Sequence, residues 1–132
     1  AVIDPAVNFL AQMSVENIFQ FEDILFEKLY ALDGERYARE IGESSYQGPE
    51  QHFSPDWFLY ARCCVVANGR LFFDAVLSSP KEMPKDMEFE ALLMVAQQAY
   101  QRKTGQEFDH LPKVSYETFS NKGGWPFDGS AE

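Results

Sequence analysis

The sequence predicts an all-α fold, a compact bundle of about five to six helices around a central apolar helix, with an irregular C-terminal tail from about residue 106. Three observations predict it. Apolar side chains recur at three- and four-residue intervals through most of the first 105 positions. The three longer stretches, 15–32, 57–68 and 87–104, each follow a helix-opening Ser or Asp and end at a Gly. The stretch 57–68 is apolar on nearly every side, as a buried central helix is. At 132 residues with twelve Phe, six Tyr and two Trp, the chain is long and bulky enough to bury a core as a single domain over residues 1–132.

In order along the chain, Asp4-Pro5 places an N-cap residue before proline and opens a short helix over 5–12. Ser14 caps a longer one over 15–32. On its wheel Val15, Ile18, Phe19, Phe21, Leu25, Phe26, Leu29, Tyr30 and Leu32 share one half, while Glu16, Asp23 and Glu27 lie together opposite, beside Gln20. Gly34 stops that helix, and 35–41 reads as a further short one closed by Gly42. Residues 42–53 form the clearest loop. Ser54-Pro55-Asp56 then opens the central helix over 57–68, and Gly69 ends it. A short helix over 71–78 and a linker over 80–84 follow. Asp86 is expected to cap the last long helix, 87–104, whose narrow apolar face is Phe89, Leu92, Leu93, Ala96, Ala99 and Tyr100, with Gly105 as its stop. The 57–68 helix is expected at the centre, with 15–32 and 87–104 packed against it. Beyond residue 106 the periodicity disappears. Tyr116, Phe119, Trp125 and Phe127 either plug into the bundle surface or form a partner-binding arm.

The charge is lopsided. Residues 1–60 hold eleven Asp/Glu against three Lys/Arg, a net of −8, whereas residues 61–132 hold ten against eight, a net of −2. A one-sided negative field repels nucleic-acid phosphates and anionic lipid and attracts basic proteins. No apolar run is long enough to cross a bilayer, and no signal-peptide pattern is present, although a chain starting at Ala1 leaves a removed upstream segment open. Adjacent Cys63 and Cys64 diverge by about 100° on a helix and do not bridge each other. With no third cysteine, a reducing compartment is favoured, and the cytoplasm is the expected location.

No catalytic constellation accompanies the acidity. His52 and His110 are isolated and read as solvated, and no phosphate loop, nucleophile elbow or metal-ligand cluster appears, so no cofactor or metal is implied. Both thiols lie mid-helix among valines and read as inert packing. Two charges break the apolar pattern. Glu22 falls inside the apolar arc between Phe21 and Leu25, and Arg62 is the one charge in 57–67. Because a lone buried charge is costly, the two are expected to pair as a structural buried pair. The alternative has Arg62 reaching into a pocket to hold an anionic ligand.

The stretches 21–32 (FEDILFEKLYAL), 58–69 (FLYARCCVVANG), 76–80 (VLSSP), 90–105 (EALLMVAQQAYQRKTG) and 115–125 (SYETFSNKGGW), in that order and spacing, resemble the bacterial domain of unknown function 4240 family. The resemblance covers roughly residues 14–125. It implies a small helical fold without an assigned activity. Some relatives look like accessory or immunity-type proteins encoded near polymorphic toxins.

Charge and resemblance together lead to an acidic protein-binding module, specifically an immunity-type inhibitor that neutralises a basic cognate toxin. The expected partner-binding residues are Glu16, Asp23, Glu27, Asp33, Glu35, Glu40 and Glu43, with Trp125 as an aromatic anchor. The partner is a basic protein; nucleic acid and membrane are not expected. One alternative is a general interaction or regulatory subunit. The other is a small-molecule enzyme using an Arg62/Glu22 pocket, with Tyr60 and Cys63 as further candidates.

Overall fold

The computed structural model describes residues 2–126, so the expectation placed on Phe127 lies outside the described residues. The α-helices arise where the helix signals accumulate, and no strand occurs among the described residues. Helix α1 is Asp4–Ala11, α2 Val15–Ala31, α3 Glu35–Ala38, α4 Pro55–Ala67, α5 Arg70–Ser78 and α6 Val95–Thr104. The two serine caps operate as their positions dictate. Ser14 Oγ accepts from the Asn17 amide at 3.1 Å, and Ser54 Oγ accepts from the Trp57 amide at 3.1 Å.

Helix α4 is buried on most of its circumference through Phe58, Leu59, Ala61, Arg62, Cys63, Cys64 and Val65. It touches α2, α5 and the 3-10 segment Glu90–Met94. One apolar cluster joins Leu29 and Leu25 of α2 to Leu59 and Cys63 of α4. A second, around Tyr37, Ile41, Phe58 and Trp125, closes the α3 side. A third packs α1 on α6 through Val7, Leu10, Val95 and Ala99, with Ile18 of α2. Arg102 of α6 donates to the Asn8 side chain across that seam.

The expected 87–104 helix is corrected in two respects. Only Val95–Thr104 is α-helical, preceded by the 3-10 segment, and it is this segment that packs on α4 as expected, while α6 lies chiefly on α1 and α2. Longer-range bonds drew the first third out of helix. Asp86 takes a left-handed φ of 56° and gives its carboxylate to the Glu43 amide at 2.7 Å instead of capping. The Phe89 amide donates to the Tyr60 carbonyl at 3.0 Å. Gly42 is required at this clasp: its φ is +95°, and a Cβ there would sit 2.5 Å from Asp86 Oδ1.

Residues 106–126 lack regular structure apart from the 3-10 turn Lys122–Gly124, yet they lie against the bundle. Phe108 packs beside Tyr100 and Phe19, Tyr116 against Phe26 at 4.7 Å, and Phe119 against Trp125 at 4.6 Å between ring centroids.

Candidate functional site

The acids of the expected docking surface divide into two groups. Four are held by this chain's own groups. Asp33 is buried and accepts from the Phe119 amide at 3.1 Å, the Asn121 amide at 2.9 Å and Trp125 Nε1 at 2.9 Å. Glu35 pairs with Arg39 at 2.6 Å, and Glu40 with Lys85 at 3.6 Å. Asp23 bonds His110 Nε2 at 2.8 Å. Glu16, Glu27 and Glu43 remain exposed, with no basic partner among the described residues. Glu16 and Glu27 are eleven positions apart and share one face of α2, about 16 Å from each other along the axis.

Two expectations are therefore corrected. Asp33 is a buried acceptor and not a surface acid: it lies just beyond the end of α2, where the helical wheel no longer applies and three donors from the C-terminal segment converge. Trp125 is buried, with its indole in the cluster around Phe53, Phe58 and Tyr46, and so is not an exposed anchor. His110 is also not a solvated side chain. Its ring stacks on Phe19 at 4.4 Å and 7°, and the segment 110–114 lines a shallow cleft with Asp23 and Glu27.

The Glu22–Arg62 pair is not formed. Both side chains are buried, as their positions on the wheel require, but they face different partners. Arg62 donates to the Leu29 carbonyl at 2.8 Å and to Thr118 Oγ1 at 2.8 Å, and that hydroxyl donates on to the Pro55 carbonyl at 2.8 Å. Leu29 is in the last turn of α2, whose carbonyls lack intrahelical donors, so the guanidinium serves as a buried C-terminal cap. Its planar face covers the Phe58 ring at 4.6 Å. Burial pushes its pKa down to about 10 against the opposing pull of Asp33, which leaves it protonated at neutral pH.

Glu22 instead opens onto a cleft of about 410 Å³ between α2, α4, the Glu90–Met94 turn and the C-terminal segment. Phe26, Leu59 and Leu93 give it an apolar floor, and the exposed Met94 and Gln97 lie at its edge. Asp56, Glu90 and Glu117 complete a set of four carboxylates with Glu22, and Tyr60 and Tyr116 add phenols. Among the described residues no Lys, Arg or His lines it. Glu22 is only 8 % exposed, and its Oε1 finds no hydrogen-bond donor. Burial pushes its pKa up to about 7, with the Asp23 charge adding to the rise and His110 opposing it. Burial, and then Glu90 and Asp56, raise the Tyr60 phenol; burial, and then Glu117 and Glu22, raise that of Tyr116.

Of this cleft, the sequence marks Glu22, by its place in an apolar arc, and Tyr60. Asp56, Glu90, Tyr116 and Glu117 carry no local signal, because tertiary packing alone brings four separate segments together. Cys63 and Cys64 are buried free thiols that do not line it. Burial drives the Cys63 pKa up to about 12 and raises that of Cys64.

No curated protein and no solved structure matches the chain. A family model described as a protein of unknown function, DUF4240, matches residues 1–102. The match takes in α1 in full and stops short of 115–125, so the buried C-terminal segment lies beyond it. Over most of its length, then, this chain belongs to the DUF4240 family.

Proposed function

We propose that this protein is an acidic protein-binding module that docks a basic partner, in the form of an immunity-type inhibitor neutralising a basic cognate toxin. One observation carries the reading. All three basic residues of positions 1–60 are engaged at home: Lys28 lies over the Phe73 ring, Arg36 over Tyr37, and Arg39 on Glu35. By contrast, Glu16, Glu27, Glu43, Glu50 and Asp56 are exposed with no basic partner among the described residues. Within residues 1–60, whose net charge is −8, these five acids thus face outward without being neutralised by the chain's described residues. Such a field speeds encounter with a cationic protein and covers the groove that protein uses for its own anionic substrate.

The revised geometry selects the variant that tests it. Asp23 is committed to His110, so the clean reversal is Glu16→Lys, Glu27→Lys and Glu43→Lys together. Wild type immobilised as bait is expected to retain a strongly basic protein from its native host, and the reversed variant to lose it. High ionic strength should release it as well. Co-production with the captured protein should then protect cells from it. Retention indifferent to both reversal and salt would remove the electrostatic basis of the reading.

A further inference from the structure

We propose that the Glu22 cleft binds an alkylammonium group, with Glu22 as its acceptor. A carboxyl that is 8 % exposed and has an orphaned Oε1 is a costly feature unless a donor arrives from outside. The surroundings define that donor. Asp56, Glu90 and Glu117 stand at the exposed rim with no cation among the lining residues, so the potential in the cleft is negative. Arg62, the buried cation of the core, donates to Leu29 and Thr118 and does not line it.

The carboxylates are dispersed. No three His, Cys, Asp or Glu side chains among the described residues are grouped to hold a metal ion. An extended organic cation fits such a site better than an inorganic one. The apolar floor takes the methylene stem, and the two phenol rings flank the charge. A compact ammonium at the end of a methylene stem meets both the carboxyl and the apolar lining. The inference rests on this cleft alone and stands whether or not the docking reading does.

An alkylammonium reaches the cleft either as a free amine or as a lysine side chain of another protein, and two probes separate these sources: cadaverine, and a lysine residue blocked at both ends as the N-acetyl amide. Titration calorimetry should detect binding of at least one, with n-pentanol silent. Binding of cadaverine alone identifies a free-amine site; binding of both identifies a lysine pocket. The ammonium should hold Glu22 ionised against Asp23 on its own helix, Asp56 on α4, Glu90 on the turn and Glu117 in the C-terminal segment. Protons should accordingly be released on binding below neutral pH, and affinity should rise as pH increases towards neutrality.

Glu22→Gln, nearly identical in shape, should weaken binding about tenfold, and Glu90→Gln at the exposed rim by a smaller factor. Folding of both variants is checked by circular dichroism. Neither amine binding wild type, or affinity unchanged in both variants, overturns the proposal.

Discussion

Asp33 Oδ1 accepts a hydrogen bond from Trp125 Nε1 at 2.9 Å across 92 positions of sequence, and this contact fastens the C-terminal segment to the end of α2. The same carboxylate holds the Phe119 and Asn121 amides, while Asn121 Nδ2 donates to the Tyr30 carbonyl at 2.9 Å. Gly124 passes so close to the carbonyl of Asp33 that a Cβ would collide with it and lie 2.9 Å from Gly34 Cα. Replacing Asp33 by Ala orphans three buried or half-buried donors at once, which should cost on the order of 3 kcal/mol. Chemical denaturation gives the stability, and limited proteolysis should then cut first within 115–126. A variant as stable and as resistant as wild type would show that the segment is held by its aromatics alone.

Glu22 should make stability fall as pH rises. Its folded pKa of about 7 lies above the ordinary glutamate value of 4.5, so the folded state binds the extra proton between those values. The neutral carboxyl therefore stabilises the fold in acid, and that contribution is lost as pH climbs from about 4.5 to 7. Because the carboxyl lines a surface cleft, screening reduces the effect to about 1–2 kcal/mol. Glu22→Gln should flatten this part of the profile and be more stable than wild type at pH 8. Parallel pH profiles for the two proteins would contradict the assignment.

Arg62 and Glu22 should behave independently. Arg62→Met removes the donors to Leu29 and Thr118 and should cost on the order of 3 kcal/mol, since both acceptors stay buried. Glu22→Gln should not deepen or relieve that loss. In a double-mutant cycle the two effects should add within about 0.5 kcal/mol. A coupling larger than that would reinstate the direct pair that the wheel suggests.

The contrast between these residues shows what the sequence makes legible. The wheel places Glu22 and Arg62 inside the bundle, because a helix fixes which face a residue takes. It does not choose between partners, because pairing depends on the rotation and depth of α4 against α2. The same limit applies to the acids. Glu16 and Glu27 are exposed as their shared face predicts. Asp33 looks like another surface acid until donors 86 to 92 positions away arrive. The Asp86–Phe89 stretch fails for a related reason: local capping chemistry yields to bonds from Glu43 and Tyr60, which local sequence does not encode.

Both thiols should resist modification. Cys63 is fully buried with its pKa raised to about 12, and Cys64 is buried beside the Asn68 amide, whose Nδ2 also donates to the Cys64 carbonyl at 2.7 Å. Thiolate is the reactive species, so burial and scarcity of anion act together. Maleimide labelling of the native protein at neutral pH should be slow at both positions and become rapid in denaturant. Fast native labelling at Cys64 alone would indicate that the α4 end opens locally near Asn68.

Asp23 and Glu27, neighbours on the acidic face of α2, should respond differently to the same change. Asp23 accepts from His110, whose ring stacks on Phe19 and anchors the segment 110–114. Glu27 is exposed and makes no ion pair among the described residues. Asp23→Lys should therefore cost about 1 kcal/mol by removing the acceptor of the histidine ring and freeing that segment. Glu27→Lys should leave stability within about 0.5 kcal/mol of wild type, as surface substitutions generally do. Thermal unfolding of the two variants at pH 5 and 8 separates the cases. Equal and negligible effects would mean that the Asp23–His110 bond is no more than a surface contact, and Asp23 would rejoin Glu16 and Glu27 as an acid free to meet a basic partner.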